Sequence, residues 1–365
     1  MFDFFGLDIS DGSLKYAYIQ RGVFGDRIAA FGESKIPQGL IVNGEIKNRS
    51  AVAAVVRKAL SGANYLPKFV VASLPDSKTF MKLLNVNTSE HESIKESIEH
   101  ELSNHIPIPI DQLVYDYSIV DNPSRKKRNH RVSPQNASTA RETMIRVLVG
   151  ACDSLSVNEY GAMIREAGYH PVAFEVEAQA TARAILSNAD VSRDIAKATV
   201  VIDWGETQAT IMFFAGGTLV FSASSAISGR EVTRKIAEKL SLDIEQAEQA
   251  KRICGLDPKK CKGIVKQYLT EYIAKLIAEV QRGLAYYTTH IAPRGNIVAV
   301  FLVGGGSNLK HLDREIERGL NLGVTPTYGD VFKNLPTIRN AHVLPPSKRV
   351  SFATAIGLAM RATAY

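Results

Sequence analysis

Gly6-Leu7-Asp8-Ile9-Ser10-Asp11-Gly12-Ser13-Leu14-Lys15 stands at the start of the chain, and Val200-Val201-Ile202-Asp203-Trp204-Gly205-Glu206-Thr207-Gln208-Ala209-Thr210-Ile211 repeats its pattern much later. In each copy an apolar strand carries one aspartate, enters a short polar turn containing glycine, and leaves as a second strand. That order reads as a β-hairpin. Small residues at the tip let successive backbone N–H groups converge on an anion, and Gly12 can adopt φ > 0 at little steric cost. The Lys15 ammonium adds a point charge suited to a phosphate. One such hairpin is ordinary. Two can face each other and clamp a polyphosphate.

The bulk numbers set the frame. A chain of 365 residues exceeds one typical core, so two lobes or more are expected. Apolar runs such as Ile297 to Val303 fall far short of the roughly 20 residues a membrane span needs. Met1-Phe2-Asp3-Phe4-Phe5 leads straight into a strand with no basic segment before it, so no signal peptide is expected. Cys152, Cys254 and Cys261 show no metal-ligand spacing, and reduced thiols in a cytoplasmic protein are the simplest expectation. The formal charge of +7 is local: without Arg125, Lys126, Lys127, Arg128 and Arg131 it falls to +2. This argues against a nucleic-acid-binding body, which would carry a broad basic face.

Along the chain, Ile28 to Phe31 reads as a strand. Ser50 is the expected N-cap of a helix stopped by Gly62, and Phe69 to Leu74 is a buried strand ending at Pro75. Ser89 with Glu92 forms an expected capping box for a helix reaching Ile106, with a stripe of Ile94, Ile98, Leu102 and Ile106. Strands over 113–120 and 143–152 follow, separated by the polar, basic stretch 121–141. A helix capped by Ser156 and closed by Gly168 comes next. Ala178, Ala180, Ala182 and Ala184 make a thin helix able to approach another backbone closely. Helices are expected over 229–240, 243–254 and 264–289. Strand Ile297 to Val303 then runs into Gly304-Gly305-Gly306-Ser307, a helix over 311–320 follows, and the small-residue helix Phe352 to Met360 comes last.

Two hairpins, an alanine-rich helix, a strand–GGGS–helix unit and a small-residue helix follow one another in the order of the actin-like nucleotide-binding fold, which the whole chain resembles. Within it, Glu99-His100-Glu101, His105-Ile106-Pro107-Ile108-Pro109, Tyr115-Asp116-Tyr117 and Glu166-Ala167-Gly168-Tyr169-His170-Pro171 are similar to the inserted subdomain of the PilM family of type IV pilus assembly, relatives of the division protein FtsA. Phe352-Ala353-Thr354-Ala355-Ile356-Gly357-Leu358-Ala359 is similar to that family's end.

The resemblance implies an α/β fold of two related lobes around a nucleotide cleft, with a small α+β insertion. Residues 1–80 would form the first lobe with hinge helices in 172–190 and 350–365, residues 81–171 the partner-binding insertion, and residues 191–349 the second lobe. It implies ATP and Mg²⁺ as cofactors. Asp8 and Asp203 would hold Mg²⁺ through water, as hard oxygen ligands suit it. Ser10, Gly12, Ser13 and Lys15 would cradle phosphates from one side, and Gly205, Glu206 and Thr207 from the other. Gly304, Gly305, Gly306 and Ser307 would let adenosine lie on bare backbone at a helix N-terminus. Glu248 and Lys251 match ribose and adenine contacts, and Glu177 the position of a residue that orients attacking water.

Bland readings stand beside these. Asp8 and Asp203 can simply end strands, Glu248 with Lys251 is a common surface pair, and Glu177 suits any helix N-terminus. Ser10 replaces a frequent glycine, Ser228-Gly229 a Gly-Gly and Ala178 a proline. These departures leave binding intact and speak against rapid hydrolysis, so the resemblance leaves open whether the chain is an enzyme or a nucleotide-binding scaffold with at most slow ATPase activity.

The family implies a cytoplasmic scaffold, peripheral to the inner face of the membrane, that binds the N-terminal cytoplasmic tail of a PilN-like membrane protein and is a candidate homo-oligomer. The loop 125–131 is either solvated or a contact for anionic lipid headgroups. The alternative is an FtsA-like membrane-associated filament former, whose amphipathic anchor helix is not found in Ala359 to Tyr365. A small-molecule kinase on the same fold is a third reading, without a convincing substrate motif.

Overall fold

Two five-strand units share one topology. The computed structural model describes residues 3–63, 65–88, 93–121 and 143–361. The stretch 125–131, with its basic residues, and the expected capping pair Ser89 and Glu92 lie outside these residues.

The first lobe contains β1 (Phe4–Ile9), β2 (Ser13–Gln20), β3 (Arg27–Lys35), a two-strand ribbon β4 (Ile41–Val42) and β5 (Glu45–Ile46), α1 (Arg49–Ser61) and β6 (Phe69–Leu74). An excursion follows through β7 (Thr79–Thr88), α2 (Ile94–His105), β8 (Leu113–Asp121) and β9 (Thr143–Asp153). The chain then returns through α3 (Ser154–Glu166), β10 (His170–Val176) and the helix α4 (Glu177–Ile185). The sheet order is β10-β6-β1-β2-β3, with β1 antiparallel to β2 and parallel to β6. Leu7, Ile9, Val52, Val56 and Val70 fill its core.

The second lobe contains β11 (Lys197–Trp204), β12 (Ala209–Ala215), β13 (Thr218–Ser225), α5 (Gly229–Leu240), α6 (Ile244–Cys254), α7 (Ile264–His290), β14 (Asn296–Val303), α8 (Leu312–Leu320) and β15 (Thr327–Tyr328). A short turn α9 (Pro346–Arg349) leads to the final helix α10 (Ala353–Ala359). Here the order β15-β14-β11-β12-β13 repeats the first lobe, again with the hairpin antiparallel and the β14 pairing parallel. The fully buried β12 is apolar apart from Thr210, as expected of a strand covered on both faces.

The packing divides the expected 81–171 insertion. Leu84, Val86, Ile98, Leu102, Val147 and Val149 form its own small core, with Ile98 and Leu102 of the expected stripe fully buried. Burial of each such side chain contributes roughly 1.5–3 kcal/mol. Tyr160, Met163 and Ile164 of α3 pack instead into the first-lobe cluster. Strand β7 begins the excursion and joins the second lobe's sheet through the pairing of Lys82 with Phe221. That long-range pairing has no signature in local sequence.

Helix starts differ from expectation by a few residues. Asn48 caps α1 in place of Ser50, Ser93 with Glu96 forms the capping box of α2, and Asp153 accepts from the Ser156 N–H at the start of α3. Adjacent Asn, Asp and Ser residues compete for the same role, and tertiary packing selects among them. Cys254 and Cys261 are neighbours, with Cα atoms 5.9 Å apart, while Cys152 is free and buried.

The crossing of α4 and α10 is as tight as the alanine pattern predicts. Ala178, Ala180 and Ala184 are fully buried, and a Cβ on Gly357 of α10 would overlap the Ala180 carbonyl. Thr181 and Thr354 hydroxyls meet at 2.9 Å in the buried crossing. Arg183 donates to the Gly357 carbonyl at 2.8 Å and pairs with Glu175.

Candidate functional site

Both hairpins turn in the same way. The Ser10 N–H donates to the Ser13 carbonyl at 2.9 Å, and the Gly205 N–H to the Gln208 carbonyl at 2.9 Å. In the first, the Ser10 hydroxyl also donates to the Ser13 carbonyl at 3.1 Å, and Lys15 Nζ donates to Ser13 Oγ at 3.3 Å. Asp11 faces away from the tip and accepts from the Asn43 and Gly44 N–H groups, which ties the β4–β5 ribbon to the turn.

Strand register places the aspartates. Asp8 lies opposite Lys15, and Asp203 opposite Thr210. The Ser73 hydroxyl, near the end of β6, donates to Asp8 Oδ1 at 3.0 Å. At the equivalent end of β14, Gly304 has φ of 83° and a Cβ there would overlap Asp203 Oδ1. Glycine is required twice over at that point, by backbone conformation and by space. Gly305 has open space around it, and Gly306 rests on the Trp204 ring.

The cleft brings together four carboxylates, one of which sequence reading missed. Asp76 follows Pro75 at the end of β6, and its Oδ1 is buried without a hydrogen-bond partner. Its signal was positional only, a carboxylate just beyond a strand that pairs with the Asp8 strand. Burial pushes Asp76 up to about 6, opposed by a Thr210 hydrogen bond and reinforced by Asp8. Asp203 is pushed up to about 7 by burial and then by Asp8, with Lys15 acting against. Glu177, the first residue of α4, is raised well above the ordinary carboxylate range by burial and by Asp76, Asp8 and Asp203. Asp8 is raised by burial against the pull of Lys15 and Ser73. Desolvation and like-charge repulsion both favour the neutral acid here.

Such a donor set fits a hard divalent cation, whose charge would reverse these shifts. Among the described residues no group of three or more His, Cys, Asp or Glu is placed to hold a metal ion directly. Ser307, the last residue of the glycine run, is fully buried and bonds the Val303 carbonyl, so it braces the run from behind.

Two other expected residues are engaged within the second lobe. Lys251 Nζ pairs with Glu248 Oε2 at 2.6 Å and donates to the Gly229 carbonyl at 2.9 Å and to Thr233 Oγ1 at 2.7 Å. Burial draws Lys251 below its ordinary value. Glu248 lies below its own because Lys251, Thr233 and Arg252 outweigh its burial. Ser228, the departure from Gly-Gly, is the N-cap of α5 and accepts from the Glu231 N–H at 3.2 Å. Glu206 and Thr207 occupy the second turn, where Glu206 pairs with Arg230 at 2.9 Å.

Comparisons place this geometry among known proteins. The family model described as "Type IV pilus assembly protein PilM" matches residues 6–363. A solved PilM-PilN type IV pilus biogenesis complex contains a chain with 22% identity and a TM-score of 0.80, with 98% of each chain covered. The ethanolamine utilization protein EutJ from Carboxydothermus hydrogenoformans is 13% identical, with a TM-score of 0.56 over 98% of this chain and 89% of that one. An MreB 5 of Spiroplasma citri, solved bound to AMPPNP, is 12% identical, with a TM-score of 0.55 over 99% of this chain and 96% of that one. The fold is therefore actin-like, as the resemblance of the whole chain implies. No helix among the described residues is long and apolar enough to cross a membrane.

Proposed function

The chain belongs to the type IV pilus assembly protein PilM family, and from that premise we propose that it is a nucleotide-gated scaffold of a type IV pilus or related machine. It works in the cytoplasm, peripheral to the inner face of the membrane. ATP with Mg²⁺ occupies the cleft between the hairpins, and the insertion binds the N-terminal cytoplasmic tail of a PilN-like membrane protein. The observation that carries the nucleotide reading is the convergence of Asp8, Asp76, Glu177 and Asp203 with Lys15 between two matching turns. Buried acids with so little compensating charge favour a bound cation.

In this reading Asp8 and Asp203 orient the water shell of Mg²⁺. The N–H groups around Ser10, Gly12, Ser13, Gly205 and Thr207, with Lys15, receive phosphates. Gly304, Gly305 and Gly306 make room for the nucleoside, and Glu248 and Lys251 stand on its ribose side. A bound Mg²⁺ supplies charge neutralisation of the phosphates. Glu177 is raised well above the ordinary carboxylate range by burial and by three nearby acids, an environment that disfavours the ionised base and fits binding with at most slow turnover. Nucleotide shifts the lobes toward the form that binds the tail by its differential affinity for the two forms. The likeness to a chain solved as a PilM-PilN complex supports the choice of partner.

The test is a titration of a synthetic PilN-like N-terminal tail against the full chain, without nucleotide and with Mg²⁺ and ATP or ADP, for wild type and Asp203→Ala. Tail affinity rises with ATP in the wild type and loses that dependence in the variant. Equal tail binding under every condition removes the gating, and failure of the wild type to bind ATP removes the nucleotide site.

A further inference from the structure

We propose that Arg230 is the residue that recognises the terminal phosphate of a bound triphosphate, and that Glu206 is its built-in competitor, holding the guanidinium when that phosphate is absent. This inference rests on the nucleotide-binding reading above and adds a residue that neither hairpin motif contains.

The start of α5 is stitched to the second turn. The Gly229 N–H donates to the Gly205 carbonyl at 3.1 Å and the Arg230 N–H to the Glu206 carbonyl at 2.8 Å. With both backbones fixed, Arg230 Nη2 donates to Glu206 Oε1 at 2.9 Å. The pair then reaches across the cleft to the first hairpin. A Cβ on Gly12 would overlap Arg230 Nη2 and come within 2.8 Å of Glu206 Oε1. The guanidinium of lobe two thus rests on the turn of lobe one, where bare backbone would receive phosphate oxygens.

A carboxylate in a phosphate-binding turn is out of place unless a cation neutralises it, and Arg230 does so. The side chains are 39% and 49% exposed, so water screens the attraction and the pair exchanges easily. A terminal phosphate offers more negative charge than a carboxylate and three acceptor oxygens matching the planar fork of arginine. It therefore displaces Glu206 from Arg230. A diphosphate lacks that group and leaves the pair intact. Lys251, the other cation near this helix start, is spent on Glu248, Thr233 and the Gly229 carbonyl. Because the pair lies between the lobes, exchanging its partner changes the contact that holds the hairpin tips together, which gives the gate a means to distinguish ATP from ADP.

Equilibrium titration of ATP, a non-hydrolysable analogue and ADP, each with Mg²⁺, tests this on the full chain with Arg230→Ala, Arg230→Lys and Glu206→Gln. Arg230→Ala weakens triphosphate binding about tenfold and ADP binding by less than about twofold, as loss of one charge-assisted contact predicts. Arg230→Lys recovers part of the preference. Glu206→Gln tightens triphosphate binding about threefold, because the competitor no longer carries charge. Thermal unfolding of each variant beside wild type shows whether the fold is intact. Equal losses for ATP and ADP in Arg230→Ala overturn the proposal in favour of general attraction. Weaker ATP binding in Glu206→Gln overturns it by making Glu206 a direct ligand. A wild type that binds neither nucleotide removes the underlying reading, whereas a wild type that binds with no preference removes this inference alone.

Discussion

The two lobes end their matching strands differently. In the first, β6 runs into Pro75-Asp76 and β10 into Glu177, so the strand ends deliver carboxylates. In the second, β14 runs into Gly304-Gly305-Gly306, which delivers space. Asp8 has a serine and a lysine to moderate it, while Asp203 faces Thr210 and abuts a glycine. A repeated topology thus fixes where groups meet and leaves their chemistry free. The first lobe's strand ends add carboxylates to the cluster, and the second lobe's glycine run leaves open space beside Asp203.

Gly304→Ala breaks the comparison most severely. The new Cβ has φ of 83° to bear and Asp203 Oδ1 in its way. Strain and overpacking together cost at least about 2 kcal/mol, read as a lower denaturation midpoint with loss of nucleotide binding. The matching corner of lobe one has the opposite sign. Asp76→Asn removes a buried acid whose ionisation is unfavourable, and it raises stability above about pH 7.

A pH series sharpens the contrast at intermediate size. The folded-state values of Asp203, about 7, and Asp76, about 6, lie above the 3.8 of a free aspartate. The folded protein therefore binds more protons than the unfolded chain between these limits. The stability this supplies is full below about pH 4 and is lost as pH rises through about 7. Without added cation, Tm falls on the order of 5 °C between about pH 5 and pH 8. Asp203→Asn flattens the slope, and Mg²⁺ raises Tm more at the higher pH. A slope unchanged in Asp203→Asn places the titration elsewhere.

What could be read from the sequence follows the same division between local and distant. The hairpins, the alanine helix and the glycine run were legible because each is a short pattern whose residue types have few other uses. Asp76 was not, since a carboxylate after Leu74-Pro75 gains meaning only when β6 pairs with β1. Glu206 was legible as part of a turn, yet its partner Arg230 lies 24 residues further on and depends on how α5 docks. The attachment of β7 to the second lobe through Lys82 and Phe221 joins segments far apart in the chain. The return of α3 to the first-lobe core likewise required knowing which apolar face was already covered.

Ser10→Gly makes the two tips alike and probes the smallest difference between them. In lobe two, glycine makes the turn with its backbone alone. In lobe one, the Ser10 hydroxyl adds a bond to the Ser13 carbonyl at 3.1 Å and meets Ser13 Oγ at 3.3 Å. Removing it costs about 0.5–1 kcal/mol in chemical denaturation, the net worth of one half-buried hydrogen bond with some added backbone freedom. It also frees Ser13 Oγ and clears space beside the turn, so triphosphate affinity changes little or rises by up to about twofold. If affinity falls instead, the Ser10 hydroxyl is itself a phosphate ligand. The departure from glycine would then be an addition to the site, a hydroxyl at the lobe-one tip where the lobe-two tip has only the Gly205 backbone.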